Sequence, residues 1–184
     1  RKNIPKSPGK TRPIGIPVLE DKLVQWVVRE ILQTLFEPLF HRHSYGYRPG
    51  RSARQAAEAL WGELMGKYRC VVEVDIKSFF DSIDQEWMVR MLEKRVSDRA
   101  IVSLIRQWMR AGVMQEDGAT EFPEKGTPQG GVISPILANI YLHYVLDKWF
   151  ETEVRTHCKS NRMLVRYADD FVAAFRYQRD ANWF

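Results

Sequence analysis

The chain has 184 residues, of which 45% are hydrophobic and 28% are charged, and its net charge is +5. This composition fits one globular domain or two packed subdomains and excludes a disordered chain, while the basic balance permits a nucleic-acid partner without requiring one. No apolar run approaches the ~18 residues of a membrane span, so we expect no membrane partner. Cys70 and Cys158 lack the spacing of metal ligands, which favours a reduced cytosolic protein. Because the chain begins at Arg1 rather than Met, we take it to be a fragment.

The first twelve residues form a basic segment that contains Lys6, Lys10 and Arg12 and is broken by two prolines. The pattern predicts two strands joined by a turn over residues 7–10. Its cations either grip phosphates or belong to a solvated surface hairpin, and the sequence leaves both open.

Residues 18–36 carry apolar side chains at helical spacing, including Leu23, Trp26 and Ile31. This spacing predicts an amphipathic helix that ends at Pro38. We expect its apolar stripe to lie in the core.

Residues 45–52 pack aromatic residues, arginines and glycines into one loop, which precedes a predicted helix over 53–65 with Ser52 as its N-cap. Aromatic side chains beside arginines suit single strands and their phosphates. A packed aromatic turn is the alternative.

A buried type of strand over 70–75 ends at Asp75, just before two phenylalanines. Two helices should follow, the first capped by Asp84 and running to about residue 96, the second capped by Asp98 and covering 99–110. Residues 111–123 then predict a short hairpin with its turn at 116–118.

Residues 125–135 form a glycine-rich loop that contains Gln129 and leads into an apolar helix predicted from Ile136 to about Phe150. Glycines let the backbone approach a ligand closely, and a loop before a helix N-terminus can face a phosphate. By itself such a loop is a weak sign of a binding site.

Two apolar, β-prone runs over residues 163–175 flank a pair of adjacent acids, Asp169 and Asp170. The pattern predicts a β-hairpin with both acids at its tip. Together with Asp75 they place three carboxylates at strand ends, where two divalent cations ~3.5–4 Å apart could support phosphoryl transfer. Acids are also common turn residues, so a solvated loop is the alternative.

The order of these motifs resembles a reverse transcriptase, and more closely the bacterial group II intron-encoded reverse transcriptase/maturase family. The matching runs are RPIGIP at 12–17, SYGYRPGRS at 44–52, VDIKSFFD at 74–81, TPQGGVISPILANIYL at 127–142 and YADD at 167–170. Each motif is modest alone, but together they span nearly the whole chain in the family's order.

The resemblance implies an α+β, right-hand polymerase fold with an antiparallel sheet packed on helices. Residues 1–70 would form the fingers subdomain. Residues 71–184 would form an incomplete palm that includes some fingers residues between 85 and 125, with the thumb absent. We therefore expect weak duplex binding by this segment alone, and self-association through an exposed palm edge.

The resemblance also implies an RNA-directed DNA polymerase, a nucleotidyltransferase that works on an RNA template, a primer strand and a dNTP in the bacterial cytoplasm. Asp75, Asp169 and Asp170 would be the catalytic carboxylates and the ligands of two Mg²⁺ ions. The implied nucleotide-binding residues are Lys6, Arg12, Phe80 and Gln129, and the implied template-binding residues are Tyr45, Arg48 and Arg51. Phe80 would lie under the sugar and exclude a 2′-hydroxyl.

A second hypothesis is an RNA-binding maturase fragment that clasps intron RNA and aids its splicing without polymerase activity of its own. The basic charge and the aromatic-arginine loop support it, and neither requires the three acids. Replacement of Asp169 by alanine should abolish the first activity and spare the second.

Overall fold

A computed structural model describes residues 2–7, 10–114, 120–122, 125–127 and 130–184, and for residues 2–7, 10–13, 113 and 121 it describes the backbone alone. Within these ranges the strands are β1 (Lys2–Ser7), β2 (Lys10–Ile14), β3 (Cys70–Asp75), β4 (Val113–Met114), β5 (Thr120–Glu121), β6 (Arg162–Tyr167) and β7 (Asp170–Phe175). The α-helices there are α1 (Leu19–Phe36), α2 (Ala53–Leu64), α3 (Phe79–Ser82), α4 (Gln85–Glu93), α5 (Arg99–Arg110), α6 (Ser134–Leu142), α7 (Arg155–His157) and α8 (Gln178–Trp183). The expected α+β class is confirmed.

The chain divides into two compact units, each built from two separate segments. The first unit comprises Arg1–Pro38 and Ser78–Ile140, and the second comprises Leu39–Lys77 and Tyr141–Phe184. The predicted boundary between fingers and palm at residue 70 concerns functional subdomains rather than these compact units, and it stays a prediction.

In the first unit, α1 buries a face that carries Val28, Leu32 and Phe36. The stripe predicted for the core lies elsewhere, since Leu23 is 61% exposed and Trp26 is 54% exposed. That prediction is wrong because α1 is apolar on more than one face, and helical periodicity alone does not say which face the fold covers.

The helix starts in both units follow local chemistry. The Asp84 carboxylate accepts the N–H of Trp87 at the start of α4 at 2.9 Å, and the Asp98 carboxylate accepts the N–H of Ala100 at 2.8 Å. Ser52 forms a reciprocal capping box at the start of α2. Each cap satisfies backbone donors that a helix leaves unpaired at its first turn, and all three were predicted.

The predicted apolar helix after the glycine-rich loop is longer than expected. It starts at α6 and continues through two π-helical stretches, His143–Asp147 and Phe150–Val154, to α7. π-Helical turns are rare and often accompany functional positions.

The second unit is organised around an antiparallel sheet in the order β3–β7–β6. One face packs against the π-helical stretch and the C-terminal end, where the ring of Phe175 lies 6.4 Å from Phe150 and 5.3 Å from Phe184. On the other face, Ala56 of α2 packs with Met163 and Val165 of β6. This helix covers the β6 side of the face, whereas the acidic end of β3 stays exposed.

Among the described residues, no helix combines the length and the apolar character that crossing a membrane requires. This agrees with the absence of a long apolar run in the sequence.

Candidate active site

The sheet register brings two of the predicted catalytic acids face to face. Asp75, the last residue of β3, is the direct cross-strand partner of Asp170, the first residue of β7. Directly opposed residues on neighbouring strands point to the same face, and both of these acids are exposed there. The two side chains lie close enough for a protonated Asp170 to donate a hydrogen bond to Asp75.

The electrostatics of the pair follow from this contact. Partial burial raises the pKa of Asp170, and the negative charges of Asp75 and Asp169 raise it further. A hydrogen bond donated by protonated Asp170 to Asp75 and the charge of Glu73 act in the same direction. The strand ends therefore form a locally negative site that disfavours ionisation of Asp170.

Asp169 lies in the two-residue turn that joins β6 to β7. The register pairs Tyr167 with Asp170, so Ala168 and Asp169 alone make the turn. Ala168 has a φ of 57°, in the left-handed region that tight hairpins need and that alanine adopts at a cost. The predicted hairpin with its acids at the tip is confirmed.

The chemistry of these residues fits a hard divalent cation. Carboxylate oxygens are the ligands that Mg²⁺ prefers, and a cation would relieve the repulsion that raises the pKa of Asp170. Among the described residues, no group of three or more His, Cys, Asp and Glu side chains is arranged as a metal site. Asp75 and Asp170 lie side by side at the strand ends, and Asp169 lies next to them in the turn.

A groove of about 410 Å³ adjoins the acids on the exposed face of the second unit. Residues of α2, including Ala57 and Leu60, form one wall, and Glu73, Asp75 and Asp170 lie along the sheet side. The groove leaves the two acids accessible from solvent.

The aromatic-arginine loop is joined directly to the acidic hairpin. Ser44 forms a parallel bridge with Arg166, the Tyr45 N–H donates to the Arg166 carbonyl at 2.8 Å, and the Arg166 N–H donates to the His43 carbonyl at 2.9 Å. Gly46 leaves no room for a side chain, because a Cβ there would lie 2.2 Å from the backbone nitrogen of Ala168. The loop and the acidic turn therefore pack as one body within the second unit.

The three predicted template residues have different environments. Tyr45 is buried in the small core beneath α2. Arg51 is exposed, with its guanidinium 5.4 Å from the centre of the Tyr45 ring and an Nη1 bond to the Arg42 carbonyl at 3.1 Å. Among these residues, Arg51 has the exposure that a phosphate contact needs.

Arg48 is placed differently from the sequence expectation. It is 8% exposed, and its Nη1 donates to the carbonyls of His41 at 2.9 Å and Ser44 at 2.7 Å. Its guanidinium also lies over the ring of Phe40. The structure gives Arg48 the role of holding the loop closed, because a buried guanidinium with these partners is turned away from solvent.

The predicted nucleotide-binding residues belong to the first unit. Phe80 is buried in α3, and its carbonyl accepts the Thr127 N–H at 2.9 Å. Lys6 and Arg12 lie in β1 and β2, but their side chains, like the whole of Gln129, fall outside the described residues.

The described parts of the glycine-rich loop are tied into the first unit. The Gly126 N–H donates to the Ile83 carbonyl at 2.7 Å, and the Val132 N–H donates to Oε1 of Gln25 at 2.9 Å. A Cβ at Gly130 would lie 2.2 Å from the carbonyl oxygen of Gly15, so this glycine is required by a close backbone approach.

Sequence reasoning missed a buried ion pair behind the acids. Arg166 in β6 and Asp147 in the π-helical stretch are both almost fully buried and form two hydrogen bonds, of 3.0 Å and 2.9 Å. The signal was partial, since Arg166 is a charged residue inside an apolar run and Asp147 follows one beside Lys148, but nothing in the sequence says that the two segments meet.

Comparison with known proteins agrees with this geometry. A family model described as "Reverse transcriptase (RNA-dependent DNA polymerase)" matches residues 4–182. Group II intron-encoded protein LtrA of Lactococcus lactis subsp. cremoris is 42% identical over 144 residues, covering 78% of this chain and 24% of that protein. An uncharacterized 91 kDa protein in the cob intron of Schizosaccharomyces pombe is 41% identical over 150 residues, covering 80% of this chain and 18% of that protein. The chain thus spans about a quarter or less of the length of these two relatives.

Among solved structures, apo telomerase from Candida tropicalis matches with a TM-score of 0.72 at 17% identity, covering 99% of this chain and 40% of the telomerase chain. This likeness shows a shared fold. On the strength of the family model and of its intron-encoded relatives, the chain belongs to the reverse transcriptase (RNA-dependent DNA polymerase) family, as its motifs predicted.

Proposed function

We propose that this chain is the catalytic part of an RNA-directed DNA polymerase, which transfers a nucleotide from a dNTP to a primer 3′-hydroxyl. The observation that carries the proposal is the cross-strand pair of Asp75 and Asp170 on an exposed face, with Asp169 beside it in the turn. Family membership supports it, because the matching family model covers all three acids.

Asp75, Asp169 and Asp170 would hold two Mg²⁺ ions. When bound, such a pair lowers the pKa of the attacking hydroxyl and stabilises charge on the leaving pyrophosphate. The chain's own contribution is to hold the carboxylates close together at the strand ends. Since the pKa of Asp170 is raised and a protonated carboxyl is a poor ligand, cation affinity should increase with pH until Asp170 is fully ionised.

Four further residues are proposed as nucleotide contacts. We assign Lys6 and Arg12 to the triphosphate, Gln129 to the incoming nucleotide and Phe80 to the sugar, where it would exclude a 2′-hydroxyl. The position of each on a shared motif or on the basic hairpin supports these roles. A Phe80→Val variant, which keeps an apolar side chain but shortens it, should increase incorporation of ribonucleotides relative to deoxynucleotides.

The proposed macromolecular partners are an RNA template and a primer strand, and intron RNA in particular. Two relatives are named as intron proteins, which supports the intron assignment. Arg51 would contact a template phosphate, and Tyr45 would support that arginine from below through the contact of its ring with the guanidinium. Self-association through a palm edge and a location in the bacterial cytoplasm stay predictions, since relatives come from both bacteria and fungi.

Primer extension on an annealed RNA template, with dNTPs and Mg²⁺, tests the polymerase proposal. Asp75→Asn and Asp170→Asn should each reduce extension by at least ~10³-fold, the scale expected for loss of electrostatic stabilisation in the transition state. Glu153→Gln, which changes an exposed acid of the same unit, should behave like the wild type. Primer extension by both Asp variants at the wild-type rate would refute the proposal. A wild-type protein that neither extends the primer nor binds Mn²⁺ at these acids would refute it as well.

The maturase hypothesis remains a second candidate because one relative, 26% identical over 175 residues, is named Nuclear intron maturase 2, mitochondrial, of Arabidopsis thaliana. It predicts RNA binding that Asp170→Asn leaves intact. Arg51→Ala should weaken that binding and reduce its salt dependence by about one ion, because one phosphate contact is lost.

A further inference from the structure

The turn that carries the catalytic acids is held in an unfavourable backbone conformation. Ala168 has a φ of 57° and is buried. Non-glycine residues in this region persist where surrounding contacts over-determine them, and such residues cluster at functional sites.

The side chain of Arg166 contacts this turn from the sheet face opposite the acids. Its side chain belongs to the sheet face opposite the acids, because strand neighbours alternate and Tyr167 lies in register with Asp170. Its Nη1 donates to the Ala168 carbonyl at 3.0 Å, while Nε and Nη2 donate to the two carboxylate oxygens of Asp147. One guanidinium thus joins the catalytic turn to the π-helical stretch.

The ion pair is almost completely removed from water, since Arg166 is 1% exposed and Asp147 is 2% exposed. Replacing a buried ion pair by apolar side chains is often neutral or stabilising, so fold stability is a weak reason for a protein to contain one. Positioning of a backbone carbonyl is a better reason for the ion pair, because the planar guanidinium donates to the carboxylate and to the carbonyl at the same time.

The loop closes the turn from the other side. The His43 carbonyl and the Tyr45 N–H bond the backbone of Arg166, and Gly46 lies against the backbone of Ala168. The turn is therefore enclosed by the guanidinium on one side and by the loop on the other. A shift in either would move Asp169 and Asp170 relative to Asp75, and misplacement by about 1 Å can reduce catalysis about 10²-fold.

We propose that Asp147 and Arg166 are positioning residues for the acids, and that their buried ion pair fixes the Ala168 carbonyl and with it the geometry of the catalytic turn. This inference rests on the proposed function for its catalytic consequence. That the ion pair orders the turn follows from the hydrogen bonds of Arg166 alone.

The decisive variant replaces both partners, Arg166→Met with Asp147→Leu, so that no unpaired charge is left behind. We expect it to fold with an unfolding midpoint near that of the wild type, because the apolar pair fills the site without burying a charge. Amide exchange in a peptide spanning residues 164–172 should accelerate, and Mn²⁺ affinity measured by electron paramagnetic resonance should fall, each by at least about tenfold. Arg166→Lys is the second variant, since lysine keeps the charge but lacks the planar guanidinium. It should also accelerate amide exchange and lower Mn²⁺ affinity, each to a smaller degree.

Arg176→Met is the matched control, because Arg176 follows β7 at the far end of the hairpin and is exposed. It should leave exchange and Mn²⁺ affinity unchanged. Unchanged exchange in the double variant would overturn the proposal, as would a double variant that does not fold, since the pair would then serve the fold itself. If Asp170→Asn binds Mn²⁺ as tightly as the wild type does, the polymerase proposal fails. The exchange measurement then still decides whether the ion pair orders the turn.

Discussion

His143 offers a sharp test of how the second unit is packed. It lies in the π-helical stretch, is 5% exposed, and neither ring nitrogen has a hydrogen-bond partner among the residues that the structure describes. Its ring meets that of Phe40 edge-on at 5.9 Å. Burial lowers its pKa from 6.5 to about 4, with Lys148, Arg166 and His41 acting in the same direction and Asp147 against them.

The sign of the pH effect follows from linkage. The unfolded chain takes up a proton on His143 near pH 6.5, whereas the folded chain resists it until about pH 4. Stability from the neutral ring is therefore complete above pH 6.5 and is lost as the pH falls through this window. Because a tenfold change in proton affinity is worth about 1.36 kcal/mol, the loss should reach about 3 kcal/mol near pH 4.

Urea unfolding followed by tryptophan fluorescence, from pH 7.5 to pH 4, measures this loss directly. The perturbation is His143→Phe, which keeps an aromatic ring beside Phe40 and removes the titrating group. The difference in unfolding free energy between wild type and variant should change by about 3 kcal/mol across the range, whereas titration of other groups is common to both proteins. A difference that stays constant with pH would refute the reasoning and would mean that the ring is solvated or paired.

Three further outcomes are expected. Gly46→Ala should destabilise the chain by about 1–3 kcal/mol in urea unfolding, because its Cβ would collide with the backbone of Ala168. The matched change Gly62→Ala, in an open position of α2, should stabilise it by about 0.5–1 kcal/mol, and equal effects at the two sites would contradict the close packing. Asp170→Asn should raise stability at pH 8 in EDTA by no more than about 1 kcal/mol, because the raised pKa makes the ionised carboxyl unfavourable there, and the gain should vanish at low pH, where Asp170 is protonated. Ser52→Ala should cost about 1 kcal/mol through loss of the cap, and circular dichroism at rising urea should show α2 melting earlier; an unchanged midpoint would argue against the capping box.

Local sequence signals predicted the parts of the site that depend on neighbours in the chain. The acidic hairpin followed from two β-prone runs around two acids, and the strand before Asp75 followed from its apolar run. What the sequence did not contain was the register that sets Asp75 opposite Asp170. That register depends on pairing between strands about a hundred residues apart.

Charged side chains were predicted least well, for the same reason. Arg48 looked suited to a phosphate, yet it satisfies two carbonyls of its own loop, a need that appears only once the loop has closed. Arg166 and Asp147 were overlooked because their ion pair forms only where two separate segments come together in the fold. Trp26 was expected in the core because its helix is amphipathic, but burial depends on which neighbours the fold supplies.

The register of the central sheet also bears on how such chains tolerate insertions during evolution. Side chains along a strand alternate between faces, so one added residue within β3 or β7 would turn Asp75 or Asp170 to the opposite side. Additions between the strands leave that alternation untouched. Length variation among functional homologues should therefore be concentrated between residues 76 and 161 and should avoid the interiors of the two strands.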